Sequence, residues 1–323
     1  MPEMNLDLEK PIFIVGCPRS GTTKLAAILN KHSKLASATE THFFNFVSKQ
    51  KYNWKNFTIQ DLKKILEESR ILDFTQLANL QSQDLINQFE LIEDLPINDM
   101  SLEESNKKKI FNLLVQNYLL KKNKSRFCEK TPQHIQNIAE IVRIYPQAKI
   151  ILLIRDGRDT VNSLLKMPWR PQGLLNNARF WSHYIKIGKR ESLRPEVLTI
   201  KYENLLECPR EVLQSICDFI GESFEESLLD DSQESDNLFS TWELSWKKKS
   251  KYELDRSRIS AWTRELHHDD QIVLDWFLHK DLLELGYQSE LTHLKLKHYV
   301  ILLNQISTMA WKKLWRIISH ISN

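Results

Sequence analysis

Residues 11–16, PIFIVG, form a short uninterrupted apolar run closed by glycine, and such a run predicts a buried strand. The following TTKLAAILNKHS has helical spacing, with Leu25, Ile28 and Leu29 on one face. HIQNIAEIVRIYP predicts an amphipathic helix stopped by Pro146. AKIILLIRD is the strongest strand signal in the chain, continuous and rich in branched residues. DTVNSLLKM then returns to helical spacing. EVLTIKYENLL predicts a third strand, and PREVLQSICDFIGE a helix with proline at its start and glycine at its end. Strands alternating with helices predict a central parallel sheet covered on both faces, a three-layer α/β fold.

Between about residues 49 and 125 the pattern is different. IQDLKKILEESRILDF and KKKIFNLLVQNYLLKK read as helices in a polar stretch that carries no recognisable chemistry. This is a helical insertion that either shapes a substrate cleft or covers the core. After about residue 225 the periodicity weakens into a long surface segment, and residues about 294–322 read as a basic amphipathic helix. Such a helix packs on its own domain, pairs with a second copy, or makes peripheral contact with a membrane. The whole chain, residues 1–323, reads as one domain with this insertion and C-terminal helices.

Composition narrows the function classes. A hydrophobic fraction of 41% and a charged fraction of 27% suit a globular protein with a full core. The net charge of +3 is too small for a nucleic-acid binder but compatible with a local anion pocket. Cys17, Cys128, Cys208 and Cys217 show no metal-site spacing and read as free thiols. No signal peptide and no apolar run of membrane-spanning length is visible, so a cytoplasmic location is expected.

Candidate chemistry lies in GCPRSGTT, residues 16–23, between the first strand and the first helix. It nearly matches the phosphate loop G-x-x-x-x-G-K-[ST], but Thr22 stands where that pattern has lysine. A helix N-terminus binds anions through unpaired N–H groups and its partial positive charge. Gly21 lets the backbone approach the anion, Ser20, Thr22 and Thr23 add hydroxyl donors, and Arg19 adds a fixed charge. A terminal sulfate carries one charge where a terminal phosphate carries about two. A sulfuryl donor therefore needs less neutralisation, and no metal requirement is expected.

A second motif, IRDGRDTVNS, sets Arg155 at the end of the strongest strand and Ser163 on the next helix. Ligands of parallel sheets bind outside the carboxyl ends of the strands, so Arg155 falls on the same rim as the loop. Two anion sites on one rim suit a nucleotide with phosphates at both ends of its ribose. The bland alternative for Arg155 is an ion pair with Asp156 or Asp159.

With these motifs the sequence resembles the sulfotransferases that use 3′-phosphoadenosine 5′-phosphosulfate (PAPS). PRSGTT resembles their 5′-phosphosulfate loop and IRDGRDTVNS their 3′-phosphate motif, and the resemblance spans roughly residues 10–221. Within the family the likeness is nearest to the tyrosylprotein sulfotransferases and their prokaryotic relatives. SATETHFF resembles their CGEETR segment, and CEKTPQHIQNIAEIVRIYPQAKIILLIRDGR the stretch from their NKDP onward.

The resemblance implies a P-loop sulfotransferase-like fold and transfer of a sulfuryl group from PAPS to an acceptor hydroxyl, on a protein tyrosine, a glycan or a small molecule. The product is adenosine 3′,5′-bisphosphate (PAP). It makes Glu40 the catalytic base, with Arg19 and Lys130 neutralising the transferred group and the leaving oxygen. Ser20, Gly21, Thr22 and Thr23 would cradle the 5′ group, Arg155 and Ser163 the 3′-phosphate, and Tyr202 falls on a nucleotide-binding tyrosine. His42 competes as base. Thr39 replaces the family's first glutamate, and Ala261 stands where those enzymes often carry a nucleotide-contacting lysine; either Arg256 or Arg258 replaces that lysine, or the contact is missing. Two other readings stay open: a phosphate-loop phosphotransferase using ATP and Mg²⁺, and a non-catalytic nucleotide-binding protein.

Overall fold

The computed structural model describes residues 5–50, 52–77, 79–91, 100–170, 173–230, 254–290 and 293–304. These fall into two compact units. The first takes Met1–Gly16, Gly21–Leu153 and Gly188–Leu254, and the second Cys17–Ser20, Ile154–Ile187 and Asp255–Asn323.

The first unit is organised by a sheet of five strands, β1 (Ile12–Gly16), β2 (Leu35–Ser37), β3 (Arg126–Lys130), β4 (Lys149–Ile154) and β5 (Val197–Lys201), in the order β2-β3-β1-β4-β5. The β1–β3, β1–β4 and β2–β3 pairs are parallel, as the alternation of elements predicts. β1 is central, and its Ile12, Phe13, Ile14 and Val15 are wholly buried, which is why the sequence shows a run and no alternation there. α1 (Thr22–Leu29) packs across β1, β2 and β3. A short α2 (Phe43–Val47) follows β2.

The expected insertion is helical. It holds α3 (Ile59–Leu66), α4 (Ser69–Leu77), α5 (Ser82–Leu91) and α6 (Leu102–Lys122). IQDLKKILEESRILDF thus divides into two helices rather than forming one. A capping box starts α6: Ser101 Oγ accepts from the Glu104 N–H, and the Glu104 carboxylate accepts from the Ser101 N–H. Phe13, Phe44 and Phe111 pack with centroids 5.3–6.1 Å apart, tying β1, α2 and α6 into one core.

After β3 the chain turns through a 3₁₀ segment, Pro132–Asn137, before α7 (Ile138–Ile144), so only the second half of the expected helix is α-helical. The third predicted strand is shorter than expected as well. It stops at Lys201, and Tyr202 opens α10 (Tyr202–Glu207). α11 (Pro209–Ile220) starts with its proline and ends at Gly221, whose φ of 75° takes the left-handed cap.

The second unit contains α8 (Gly157–Leu165), most of α9 (Leu174–Glu191), α12 (Trp262–Glu265) and α13 (His268–Glu284). α8 touches both α12 and α13. A Cβ at Gly157 would lie 2.9 Å from Leu278 and from the Trp181 ring, so glycine permits this approach. Residues 296–304 are helical; the rest of the helix expected over about 294–322 lies outside the described residues, as does most of the surface segment after residue 230. Among the described residues, no helix is long and apolar enough to cross a membrane.

Candidate active site

The loop between β1 and α1 has two left-handed residues in three. Arg19 sits at φ 76° and Gly21 at φ 101°. The first is unusual for a residue with a side chain, and such strain collects at functional sites. Gly21 is the N-cap of α1 and supplies no side-chain cap, so the helix N-terminus keeps its donors for another acceptor. A Cβ at Gly21 would stand 2.2 Å from Cδ2 of Tyr202. The Tyr202 ring, largely buried, therefore lies against the loop glycine. Thr22 is buried and Thr23 half-buried at the start of α1.

In the second unit the two sequence motifs meet. Arg19 Nε donates to Ser163 Oγ at 3.0 Å, and Arg155 Nη1 donates to the Arg19 carbonyl at 3.4 Å. Ser20 is fully buried, and its Oγ has no hydrogen-bond partner among the described residues. A buried hydroxyl with no partner of its own in a loop of this shape is a donor that suits an anion. Arg155 also donates from Nη2 to the Arg258 carbonyl at 2.8 Å and lies 3.6 Å from Asp159 Oδ2. Of the two aspartates that the alternative reading offered Arg155, Asp159 is the one it approaches. Asp156 instead caps α8 and holds Arg158 at 2.7 Å. Burial pushes the Asp159 carboxyl above its usual range, against the pull of Arg155.

Ala261 is buried and caps α12, whose Trp262 ring lies 4.3 Å from the Arg158 guanidinium. Arg256 is exposed, and the Arg258 side chain pairs with Asp255 at 3.2 Å.

In the first unit the structure joins three further residues. β2 and β3 run parallel with Ser37 opposite Cys128, so the chain leaves both strands at the same end. Glu40 follows Ser37 by a few residues, and Lys130 is the last residue of β3. Lys130 Nζ lies 2.8 Å from Glu40 Oε1, and His42 Nε2 lies 3.1 Å from Glu40 Oε2. The Lys130 side chain is 0% exposed and that of Glu40 14% exposed. A carboxylate held from both oxygens is fixed in direction while keeping one edge accessible. The two candidate bases are partners, and the carboxylate lies between the imidazole and the lysine.

Sequence reasoning missed what lies behind this trio. Glu129, one residue before Lys130, is wholly buried and accepts from Thr41 Oγ1 and Thr131 Oγ1. His134 Nδ1 is 3.4 Å from Glu129 Oε1 but is not aligned for a hydrogen bond. Burial pushes the Glu129 carboxyl up and holds the His134 imidazole well below its usual value. The available signal was an acidic residue next to Lys130 in RFCEK, a short strand that also carries Arg126.

Comparison with known proteins points the same way as the geometry. Residues 11–226 match the model of the sulfotransferase family. Protein-tyrosine sulfotransferase 2 of Gallus gallus is 25% identical over 226 residues, 68% of this chain and 53% of that one. Protein-tyrosine sulfotransferase A of Caenorhabditis elegans is 26% identical over 230 residues, 69% of this chain and 52% of that one. The chain therefore spans about half the length of these relatives. Among solved structures, the sulfotransferase domain from the curacin biosynthetic pathway aligns with TM-score 0.58 at 21% identity, covering 87% of this chain and 99% of that one. The sulfotransferase domain of the Synechococcus PCC 7002 olefin synthase gives 0.57 at 21% identity, covering 90% and 98%. These likenesses bear out the fold read from the sequence.

Proposed function

The chain belongs to the sulfotransferase family, and from that premise we propose that it transfers a sulfuryl group from PAPS to an acceptor hydroxyl. The observation that carries this reading is the pair of bonds joining Arg19 to Ser163 and to Arg155, which brings the 5′ and 3′ anion motifs together. The loop residues fit such a donor. Gly21 has no room for a side chain, α1 begins without a side-chain cap, and Ser20 Oγ lacks a partner among the described residues. We assign Ser20, Gly21, Thr22 and Thr23 to the 5′ group, Arg155 and Ser163 to the 3′-phosphate, and Tyr202 to packing beside the loop.

PAPS, when bound, supplies the sulfuryl group and leaves as PAP. Glu40 takes the proton of the acceptor hydroxyl, which makes that oxygen the nucleophile. As the new S–O bond forms and the bond to the bridging oxygen breaks, Arg19 and Lys130 neutralise the charge that develops. Lys130 must then turn part of its interaction from Glu40 to the reacting group, while His42 keeps the carboxylate directed. None of these roles calls for a metal ion. A phenolic hydroxyl such as that of tyrosine is the first acceptor to test, on the names of the matched relatives.

The test is transfer of labelled sulfate from PAPS to a panel of phenols, tyrosine peptides, sugars and aliphatic alcohols, with and without EDTA. Transfer that survives EDTA is expected. In parallel, PAP at 100 times its dissociation constant should stabilise the protein by about 2.7 kcal/mol. Stabilisation by ATP with Mg²⁺ but not by PAP would move the protein to phosphoryl transfer. PAP binding without transfer to any acceptor would leave a nucleotide-binding protein.

A further inference from the structure

We propose that Glu129 is a positioning residue whose buried carboxyl clamps Thr41 and Thr131 and thereby holds Glu40 and His42 against Lys130. The proposal rests on the reading of Glu40 as base.

The chain of contacts is short. Glu129 Oε1 accepts from Thr41 Oγ1 at 3.0 Å and from Thr131 Oγ1 at 2.5 Å. Each hydroxyl also accepts a backbone N–H at 3.2 Å: Thr131 Oγ1 from His42, and Thr41 Oγ1 from Phe43. One carboxyl oxygen thus pins three consecutive residues directly after Glu40 and one residue directly after Lys130. His42 is held at φ 53°, a left-handed conformation that a residue with a side chain keeps only when its surroundings enforce it. The clamp holds this turn through the His42 and Phe43 amides, and the direction of Glu40 follows from the turn.

Glu129 also sits where a carboxyl is costly. Its side chain is 0% exposed, and Oε2 has no hydrogen-bond partner among the described residues. Phe13 and Phe44 pack against the neighbouring His134, at ring-centroid distances of 6.2 and 5.5 Å. Lys130 and Glu40 are the charged groups that the clamp serves, with His42 beside them, and His134 is the titratable group facing Glu129 from the 3₁₀ turn. Burial pushes the Glu129 carboxyl up and the His134 imidazole down, and what the two threonines use of Glu129 is an accepting oxygen. A merely structural carboxyl would not distinguish its two nearest threonines from other buried contacts; a clamp makes a specific demand on them.

The experiment compares Glu129→Ala, Glu129→Gln and Thr131→Val with the parent. Amide hydrogen exchange is read at His42, Phe43 and the β1 amides, PAP affinity by calorimetry, and turnover with the best acceptor of the panel. In Glu129→Ala the His42 and Phe43 amides should lose protection while β1 keeps it. Turnover should fall by about 10²-fold, the usual penalty for a misplaced catalytic group, with PAP affinity within about twofold of the parent. Glu129→Gln keeps an accepting oxygen and should restore both protection and most of the turnover. Thr131→Val, which removes only a hydroxyl at nearly constant volume, should reproduce the loss if Glu129→Ala fails to fold. Unchanged protection of His42 and Phe43 in Glu129→Ala, or in Thr131→Val, overturns the clamp. Lost protection with full turnover overturns the positioning role. Glu40→Gln measured alongside separates this from failure of the base assignment, because that failure shows as a fully active Glu40→Gln whatever the clamp does.

Discussion

Arg19 Nε donates to Ser163 Oγ across 3.0 Å, although the two residues lie 144 positions apart in the chain. The bond ties the loop after β1 to α8, and Arg155 adds a second link through the Arg19 carbonyl. Ser163→Ala and Arg155→Ala should each weaken PAP binding by about 1–3 kcal/mol, since a buried phosphate oxygen loses a donor. Binding of adenosine 5′-monophosphate, which has no 3′-phosphate, should change much less. Calorimetry on both nucleotides checks this, and an unchanged preference for PAP in both variants removes the 3′-phosphate assignment.

Gly21→Ala meets two obstacles: a φ of 101° and a ring atom of Tyr202 2.2 Å from the new Cβ. A side chain in the left-handed region costs about 1–2 kcal/mol, and overpacking about 1–3 more. Tyr202→Ala relieves only the second. In the Tyr202→Ala background, Gly21→Ala should therefore cost about 1–2 kcal/mol, clearly less than in the parent. Urea unfolding of the four proteins closes this cycle. Equal costs in the two backgrounds would show that the ring is not what excludes the side chain.

Glu40→Gln keeps the size of the side chain and its contact with Lys130 while removing the basic carboxylate. Turnover should fall roughly 10²–10⁴-fold with PAP affinity preserved. His42→Ala should cost less, because Lys130 still holds the other Glu40 oxygen. The reverse ranking would make His42 the base. If both variants stay active while Arg19→Ala is dead, the acceptor arrives already ionised, and charge neutralisation carries the reaction.

The four cysteines should differ sharply toward iodoacetamide at pH 8. Cys208 is exposed, whereas Cys17, Cys128 and Cys217 are buried. Burial pushes the Cys17 and Cys128 thiols far up, and the Cys217 thiol up to about 11 with help from Asp218, Glu222 and Glu225. A raised thiol pKa leaves little thiolate at pH 8, so these three should react only after unfolding. Peptide mass mapping under native conditions should find Cys208 alkylated first. Early labelling of Cys17 would mean that the loop opens far more readily than its packing implies.

The sequence was most legible where burial is complete. β1 and β4 stand out because all their apolar side chains are inside, and the loop and α8 motifs sit directly after them. Glu40 and Lys130 are different. They are 90 positions apart, and only the β2–β3 register brings them together; β2, with three residues, is too short for any periodic signal. The family resemblance supplied those two residues, and the geometry supplied their contact. EVLTIKYENLL predicts one strand with Tyr202 at its end; the chain turns helical at that residue instead. α9 is absent from the predicted elements although Leu175, Ala178, Trp181 and Ile185 recur at helical spacing and are buried. The interspersed asparagines, histidine and lysines dilute its apolar stripe. Glu129 could not be given a role from sequence, since its partners Thr41 and Thr131 belong to two different segments.

Arg158 fixes how short the protein can be made. Its guanidinium bridges Asp156 and Asp275 and faces the ring of Trp262, while Asp159 accepts the Trp262 backbone N–H. The family match stops at residue 226, well before either partner from the later part of the chain. A version trimmed to that boundary would keep both anion motifs and still strip a buried arginine of one carboxylate and its aromatic neighbour. Breaking a buried ion pair by deleting one partner typically costs about 3–5 kcal/mol, a large part of the stability of an ordinary domain. The smallest piece worth expressing therefore runs through the end of α13 at Glu284, and the boundary drawn by similarity is not the boundary drawn by charge.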